Sequence, residues 1–446
     1  MSLTDSAGLL GRATRALRRA HSYQQRFGTR AMLQRMRMEW HRRRHAAPTA
    51  PLPPGAPAAV PSAASLVQAR FAALDPLRTY LLPTQARRRV SIVTDSIGQG
   101  SLFGGVGTAL ILGTLLANRL DADLRIITRT EPPVPDNVDH VLSVYGIELQ
   151  REMQFCFAPA NHPGQTIDLL ATETVLTTSW WTTAATLPSV APDRIVYLLQ
   201  EDERMFYPFG DEHLRCQQVL RNETIRIVLN TRLLRDHFVA DGFSNLRDRA
   251  LHFEPAFPAQ VFRPRPKPAG AKPRFVFYAR PHNPRNLFYL GLEVIDAAVA
   301  QGILDPAVWD IVFVGKDIPE MRLGGQQVPT RRENLGWSDY AELIGGTDLG
   351  LSLMYTPHPS YPPLDLVASG AVVVTNRHGI KQDLSAYSDN AICCEPERAA
   401  LLDGLARGVA LALDPAQREA NHRSTRVARD WPASLQAVIE QLAKAG

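Results

Sequence analysis

From residue 88 to residue 264 the chain alternates short, almost unbroken apolar runs with longer stretches of helical period. The runs "VSIVT" (90–94), "LRIIT" (124–128), "QFCFA" (154–158), "TVLTTS" (174–179), "IVYLLQ" (195–200) and "IRIVLN" (225–230) are rich in β-branched residues and lack polar alternation. That pattern suits strands covered on both faces, and helices between such strands imply a parallel, doubly wound sheet. The proline-rich stretch "RPRPKPAGAKP" (263–273) interrupts the alternation, which then restarts. Strands are predicted at 274–279, 309–315, 348–354, 371–376 and 390–394, with helices at 287–301, 338–345, 363–369 and 396–413. Residues 415–445 read as one or two closing helices. The fold class is therefore α/β, with two Rossmann-like doubly wound domains (80–264 and 272–425), a closing helix (426–446) and a cleft between the domains. Ligands of such sheets bind beyond the carboxyl ends of the strands, so that cleft is the default site.

The first 47 residues follow a different pattern. Leu10, Ala13, Leu17 and Ala20 share a helical face, and Met32, Met36 and Trp40 repeat it. Eleven arginines against Asp5 and Glu39 fill the other faces of residues 1–46. A basic amphipathic segment suits an anionic membrane surface; a solvated helix on the protein's own surface is the alternative. Aromatics interleaved with basic residues are scarce, so nucleic acid is not expected as a partner. Residues 48–66 carry five prolines between positions 51 and 61 and read as a stiff linker. The remaining totals describe an ordinary soluble protein: 446 residues, 45% hydrophobic, 21% charged, net charge +5. Four cysteines without metal-ligand spacing suit a reduced, cytoplasmic chain. No apolar run reaches the roughly 18 residues of a spanning helix, so the expected location is cytoplasmic, with peripheral attachment to the inner membrane face through residues 1–46.

Candidate chemistry gathers at strand ends. The glycine-rich loop of residues 98–107, with Gly104 and Gly105, leads from a strand into an apolar helix, where a phosphate can approach the backbone. "FVFYARPHNPRN" places Arg280 and Arg285 past a strand, with Asn283 and Asn286 beside them, and two guanidinium forks match a diphosphate. Gly315 and Lys316 end the next strand. Gly336 and Trp337 open a helix that Ser338 is expected to cap, a place for a nucleobase. "PHPSYPPLDLVASGAVVVTN" (357–376) offers His358, Ser360, Tyr361 and Asp365; the prolines suit a helix start, and Asp365 is expected in its first turn, facing the cleft.

In this order the residues resemble retaining family-4 glycosyltransferases of GT-B fold: Arg280/Arg285, Gly315–Lys316, Leu335–Gly336, then "PPLDLVASGAVVVTN". In the first domain "IVLNTRLLRDHFVADGF" looks like that family's strand–asparagine–helix element. "SLMYTPHPSYPPLD", "TSWWTTAA" and "LLQEDERMFYPFG" are closer to one branch, the WsaF-like and rhamnan-synthesis rhamnosyltransferases. The resemblance covers roughly residues 88–425. It implies that Arg280 and Arg285 hold the donor diphosphate, that Gly315 and Lys316 belong to the donor site, and that Asp365 contacts the ribose. Gly104–Gly105 would approach the phosphates and sugar, Leu335–Gly336 would meet the base, and the sugar would lie near residues 358–361. The family's usual pair is Glu-x7-Glu, whereas this chain has Pro357 and Asp365. Loss of the first acid fits a 6-deoxy sugar, and the implied donor is dTDP-L-rhamnose.

The implied reaction retains anomeric configuration, and no DxD-type cluster suggests a metal, so a metal-independent enzyme without cofactor is expected. The acceptor, a glycan or lipid-linked glycan, is expected on the first domain at Trp180, Trp181, Gln200, Glu201, Asp202 and Tyr207, since aromatics and carboxylates suit sugars. Packing of Trp180 and Trp181 against the sheet is the alternative. Two other readings of the whole stand beside this one: a transferase using another nucleotide sugar, and a catalytically silent binding protein of the same fold.

Overall fold

The computed structural model describes residues 60–82, 88–98, 102–160, 162 and 165–444. The basic segment at 1–46 lies outside them. Residues 1–70 and 71–446 form separate compact units. In the first unit the described part is mainly a helix, Ala63–Arg70. The Ser65 amide donates to the Ser62 hydroxyl at 3.1 Å, as at a helix start. The linker predicted to run to residue 66 therefore gives way to helix at residue 63. Beyond Pro61 the sequence "AASLVQAR" contains no further helix breaker.

The second unit contains two large parallel sheets and one small one. Its strands are β1 (Thr79–Leu82), β2 (Arg89–Thr94), β3 (Asp123–Thr128), β4 (Met153–Phe157), β5 (Ile167–Leu170), β6 (Thr174–Thr177), β7 (Ile195–Leu199), β8 (Arg226–Asn230) and β9 (Leu251–Phe253). They continue with β10 (Arg274–Ala279), β11 (Asp310–Gly315), β12 (Thr330–Glu333), β13 (Leu349–Leu351), β14 (Val372–Asn376) and β15 (Ala391–Cys394). The seven-stranded sheet has the order β4-β3-β2-β6-β7-β8-β9, and the six-stranded sheet β12-β11-β10-β13-β14-β15. All of their pairings are parallel. Each sheet is apolar on both faces, as the unbroken runs require. Ile92, Ile126 and Leu198 pack on one side of the first sheet, and Val93, Ile127 and Leu199 on the other. Phe277 and Phe313 cover one side of the second sheet, and Val276 and Val312 the other.

The polar ends of the first sheet's opening strands are spent on structure. Arg89 and Arg125, both buried, pair with Glu173 at 2.7 and 2.5 Å and with Asp168 at 2.6 and 3.2 Å. This links the sheet to the small β1–β5 pair and leaves the carboxyl ends for chemistry.

The last helix, Trp431–Lys444, returns to the first sheet. Trp431, Leu435, Val438, Ile439 and Leu442 complete the core built on the helix Gly107–Leu120. Before it, the Arg429 guanidinium donates to the carbonyls of Phe257, Phe262 and Ala368 at 3.0–3.1 Å. One side chain thus fastens the segment between the sheets to the second sheet's helix.

Candidate active site

In both sheets the strand order reverses once, between β2 and β6 and between β10 and β13. Loops that leave the carboxyl ends at such a point diverge and open a crevice. Here they carry the glycine turn after β2, Arg280–Asn286 after β10 and residues 352–360 after β13.

Ala279 and Gly315 are register partners at the ends of β10 and β11, so Arg280 and Lys316 emerge side by side. The approach is close: a Cβ on Gly315 would lie 1.7 Å from the Ala279 carbonyl oxygen, so only glycine fits. Lys316 is exposed, and Arg280 is half-buried with a 3.1 Å bond from its guanidinium to the Tyr278 hydroxyl. Arg285 pairs with Glu201, which sits just beyond β7, at 2.6 Å and lies 4.2 Å over the Phe206 ring. Asn283 shapes the intervening turn through its amide, which donates to the Arg280 carbonyl at 3.0 Å. Asn286, expected among the donor contacts, is instead 1% exposed and bonds the Leu353 carbonyl.

Beside Arg285 lies a buried cluster that joins the two sheets. His358 is buried, and its Nδ1 accepts the Ser360 amide at 2.9 Å. Burial, then the charges of Lys381 and Arg285, lower its pKa to about 3, so it is neutral at ordinary pH. Ser360 holds φ of +69°, a strained turn that aims this segment into the helix Tyr361–Ala368. Lys381, which the sequence reading missed, is fully buried and donates to the carbonyls of Met354 and His358 at 3.1 and 3.5 Å. Burial lowers its pKa to about 8 while the Glu201 carboxylate opposes the fall. Burial raises Glu201, with Arg285 opposing.

Tyr361 bridges the domains. Its hydroxyl is 2.7 Å from the Thr108 hydroxyl and accepts from Asn230 Nδ2 at 2.9 Å. Its ring lies 3.7 Å from where a Cβ on Gly104 would stand, and Gly104 has φ of +81°. The neighbouring Gly105 is held by Gln200, whose Nε2 donates to its carbonyl at 2.7 Å. Gln200 and Glu201 therefore reach the glycine turn and Arg285.

Several expectations need correction. Asp365 lies in the second turn of its helix, because the helix begins at Tyr361, four residues earlier. Its carboxyl does not face the cleft: it is 5% exposed and accepts the Tyr340 hydroxyl at 3.0 Å. Burial raises its pKa to about 8. The cap of the helix Trp337–Gly345 is Gly336, without a side-chain bond, and Ser338 already lies within the helix. Trp337 packs edge-on against Tyr145 at 5.9 Å and Phe262 at 5.8 Å. Trp180 is 3% exposed and donates to the Tyr207 hydroxyl at 3.1 Å, so its ring is core rather than a platform. Trp181 is half-buried and bonded to Asp95 at 2.8 Å. Asp202, also buried, is spent on Arg204 at 2.7 Å and His237 at 3.0 Å.

The family model of the WsaF N-terminal domain matches residues 89–232, and that of the WsaF C-terminal domain matches residues 273–406. The O-antigen biosynthesis protein RfbC of Myxococcus xanthus is 31% identical over 283 residues, 62% of this chain and 21% of that protein. The chain thus matches about a fifth of the length of that relative. Among solved structures, the sucrose-phosphate synthase of Thermosynechococcus elongatus aligns with a TM-score of 0.54 at 14% identity, over 81% of this chain and all of that one. Anabaena HepE in complex with UDP and glucose aligns at 0.54 and 12% identity, over 79% and 99% of the two chains. WaaG, a glycosyltransferase involved in lipopolysaccharide biosynthesis, aligns at 0.50 and 12% identity over the same shares. The chain belongs to the WsaF-like glycosyltransferases of GT-B fold.

Proposed function

We propose that the chain is a retaining glycosyltransferase that moves L-rhamnose from dTDP-L-rhamnose onto a growing, lipid-linked surface glycan. The observation that carries the reading is the pair Arg280 and Lys316 on adjoining strand ends at the switch point of the second sheet. A departing diphosphate gains charge in the transition state, and fixed cations at its oxygens lower that barrier. Arg285 can join them by sharing or exchanging its Glu201 partner. The anomeric carbon–phosphate oxygen bond breaks, the carbon bonds the acceptor oxygen on the same face, and the acceptor's proton passes to the leaving phosphate. The two domains supply orientation, which is worth several kcal/mol in such a step.

The WsaF family membership and the absence of an acid at Pro357 support the 6-deoxy donor. The RfbC relative's O-antigen role and HepE's bound UDP support a surface glycan and a nucleotide sugar. Asp365, shielded from the cleft, is assigned a supporting role behind the donor site rather than a ribose contact. The basic segment at 1–46 would bring the enzyme to an anionic membrane where such acceptors lie; among the described residues no helix is long and apolar enough to cross one.

A thermal-shift panel of UDP, GDP, dTDP and dTDP-rhamnose tests the donor, because a ligand that binds only the folded state raises Tm with occupancy. The largest shift is expected with dTDP-rhamnose; equal shifts across the panel would overturn the donor assignment. Arg280→Ala should lower kcat/KM at least about tenfold, since it deletes a charge-assisted contact of about 1.5 kcal/mol or more. Unchanged kinetics in that variant would remove Arg280 from the site.

A further inference from the structure

Three polar atoms around Tyr361 are left without a hydrogen-bond partner among the described residues: Gln200 Oε1, Asn230 Oδ1 and His358 Nε2. Asn230 and His358 are 0% and 2% exposed. A buried polar atom left unsatisfied destabilises the fold, so three at one place call for a ligand.

Their chemical roles are fixed by what their other ends do. The Thr108 hydroxyl donates to the Gly104 carbonyl at 3.0 Å, so the Tyr361 hydroxyl must be the donor in its 2.7 Å contact with Thr108. Tyr361 is then the acceptor for Asn230, which commits the Asn230 amide nitrogen and leaves its oxygen as the unpartnered end. Gln200 is oriented likewise, since its amide nitrogen serves the Gly105 carbonyl. His358 Nδ1 accepts the Ser360 amide, which puts the ring proton on Nε2. The cluster therefore offers two acceptors and one donor.

A diphosphate has acceptor oxygens only, and could satisfy His358 alone. Two amide oxygens demand a ligand that brings donors, and neighbouring hydroxyls of a pyranose bring both donors and acceptors. We propose that Gln200, Asn230 and His358 read the hydroxyl groups of the transferred sugar, and so set donor-sugar specificity. This rests on the glycosyltransferase reading above. It moves Gln200 from the acceptor side to the donor side. It also gives the first domain a part in choosing the donor, because Gln200 follows β7 and Asn230 ends β8, while His358 follows β13.

The full chain is titrated with a nucleotide sugar and with the matching nucleoside diphosphate, without acceptor, for the parent, His358→Asn and Asn230→Ala. His358→Asn keeps an oxygen that can accept the Ser360 amide two residues on, and removes the imidazole ring with its Nε2 proton. Each variant should bind dTDP-rhamnose about tenfold more weakly than the parent while binding dTDP as before. Comparing two affinities within one variant cancels partial loss of fold, and melting curves record any such loss. Equal weakening toward dTDP and dTDP-rhamnose, or no weakening, overturns the proposal. If the parent binds another nucleotide sugar instead, the same pairwise comparison is made with that sugar and its diphosphate. If the parent binds no nucleotide sugar of any base, the glycosyltransferase reading itself fails and takes this inference with it.

Discussion

Asp365 shows how far a residue's role depends on its surroundings. Its carboxyl keeps a proton up to about pH 8 in the fold, against the ordinary 3.8. Between those values the folded chain binds more protons than the unfolded one, so this group makes stability fall as pH rises through the window and adds no further change above it. Asp365→Asn keeps an oxygen for Tyr340 and abolishes the ionisation. Its Tm relative to the parent should therefore rise by several degrees between pH 4 and pH 8; a constant gap would show that the carboxyl ionises freely in the fold. In the sequence this aspartate looks like a first-turn acid because two prolines precede it. What it did not carry was the Tyr340 hydroxyl, 25 positions away, or the burial. Lys381 was hidden for the same reason: in "HGIKQDLS" it resembles any loop lysine, and only the tertiary fold buries it against the carbonyls of Met354 and His358. Arg280 and Lys316 were legible because position at a strand's end can be read from the apolar run before it.

At the level of elements, the close pairing of β10 and β11 is the feature that places the two cations. Gly315→Ala would drive a Cβ into the Ala279 carbonyl at 1.7 Å, and backbone on both sides leaves no flexible atom to yield. The strand ends would have to separate, at a cost of about 3 kcal/mol or more. The expected result is a melting temperature lower by about 6 °C or more and, at temperatures where the variant is folded, weaker diphosphate binding. A variant with parental Tm and affinity would sink that account. The strands predicted from apolar runs all exist, to within a few residues at their ends, since a strand covered on both faces is largely apolar along its length. Those that went unread were β1, β5, β9 and β12. β12, "TRRE", is an edge strand with three of its four residues exposed, and β9 has three residues; neither carries the apolar run that reveals a buried strand.

For the whole molecule, the crossing of the last helix matters most. Trp431, Leu435, Val438, Ile439 and Leu442 are each at most 7% exposed against the first sheet's helix layer. Burying five such side chains is worth up to about 7–15 kcal/mol, comparable to the entire stability of an ordinary domain. Removing residues 431–446 should therefore leave the first domain unfolded or insoluble, although the second sheet's strands remain intact in sequence. Soluble yield and near-ultraviolet circular dichroism would report it, and a soluble, cooperatively melting truncation would contradict the assignment of that helix to the first core.

The same crossing sets the order of events during synthesis. From Phe253, the last strand residue of the first sheet, to Trp431 the ribosome must add 178 residues. At about 5–20 residues per second that takes roughly ten to forty seconds. Throughout that interval the face of the helix Gly107–Leu120 that the last helix covers lies bare, so the nascent first domain is a client for whatever shields exposed nonpolar surface in the cell. Completion of the earlier domain is thus conditional on the later one having been made, and a chain released early would be recognised as unfinished by its own exposed core.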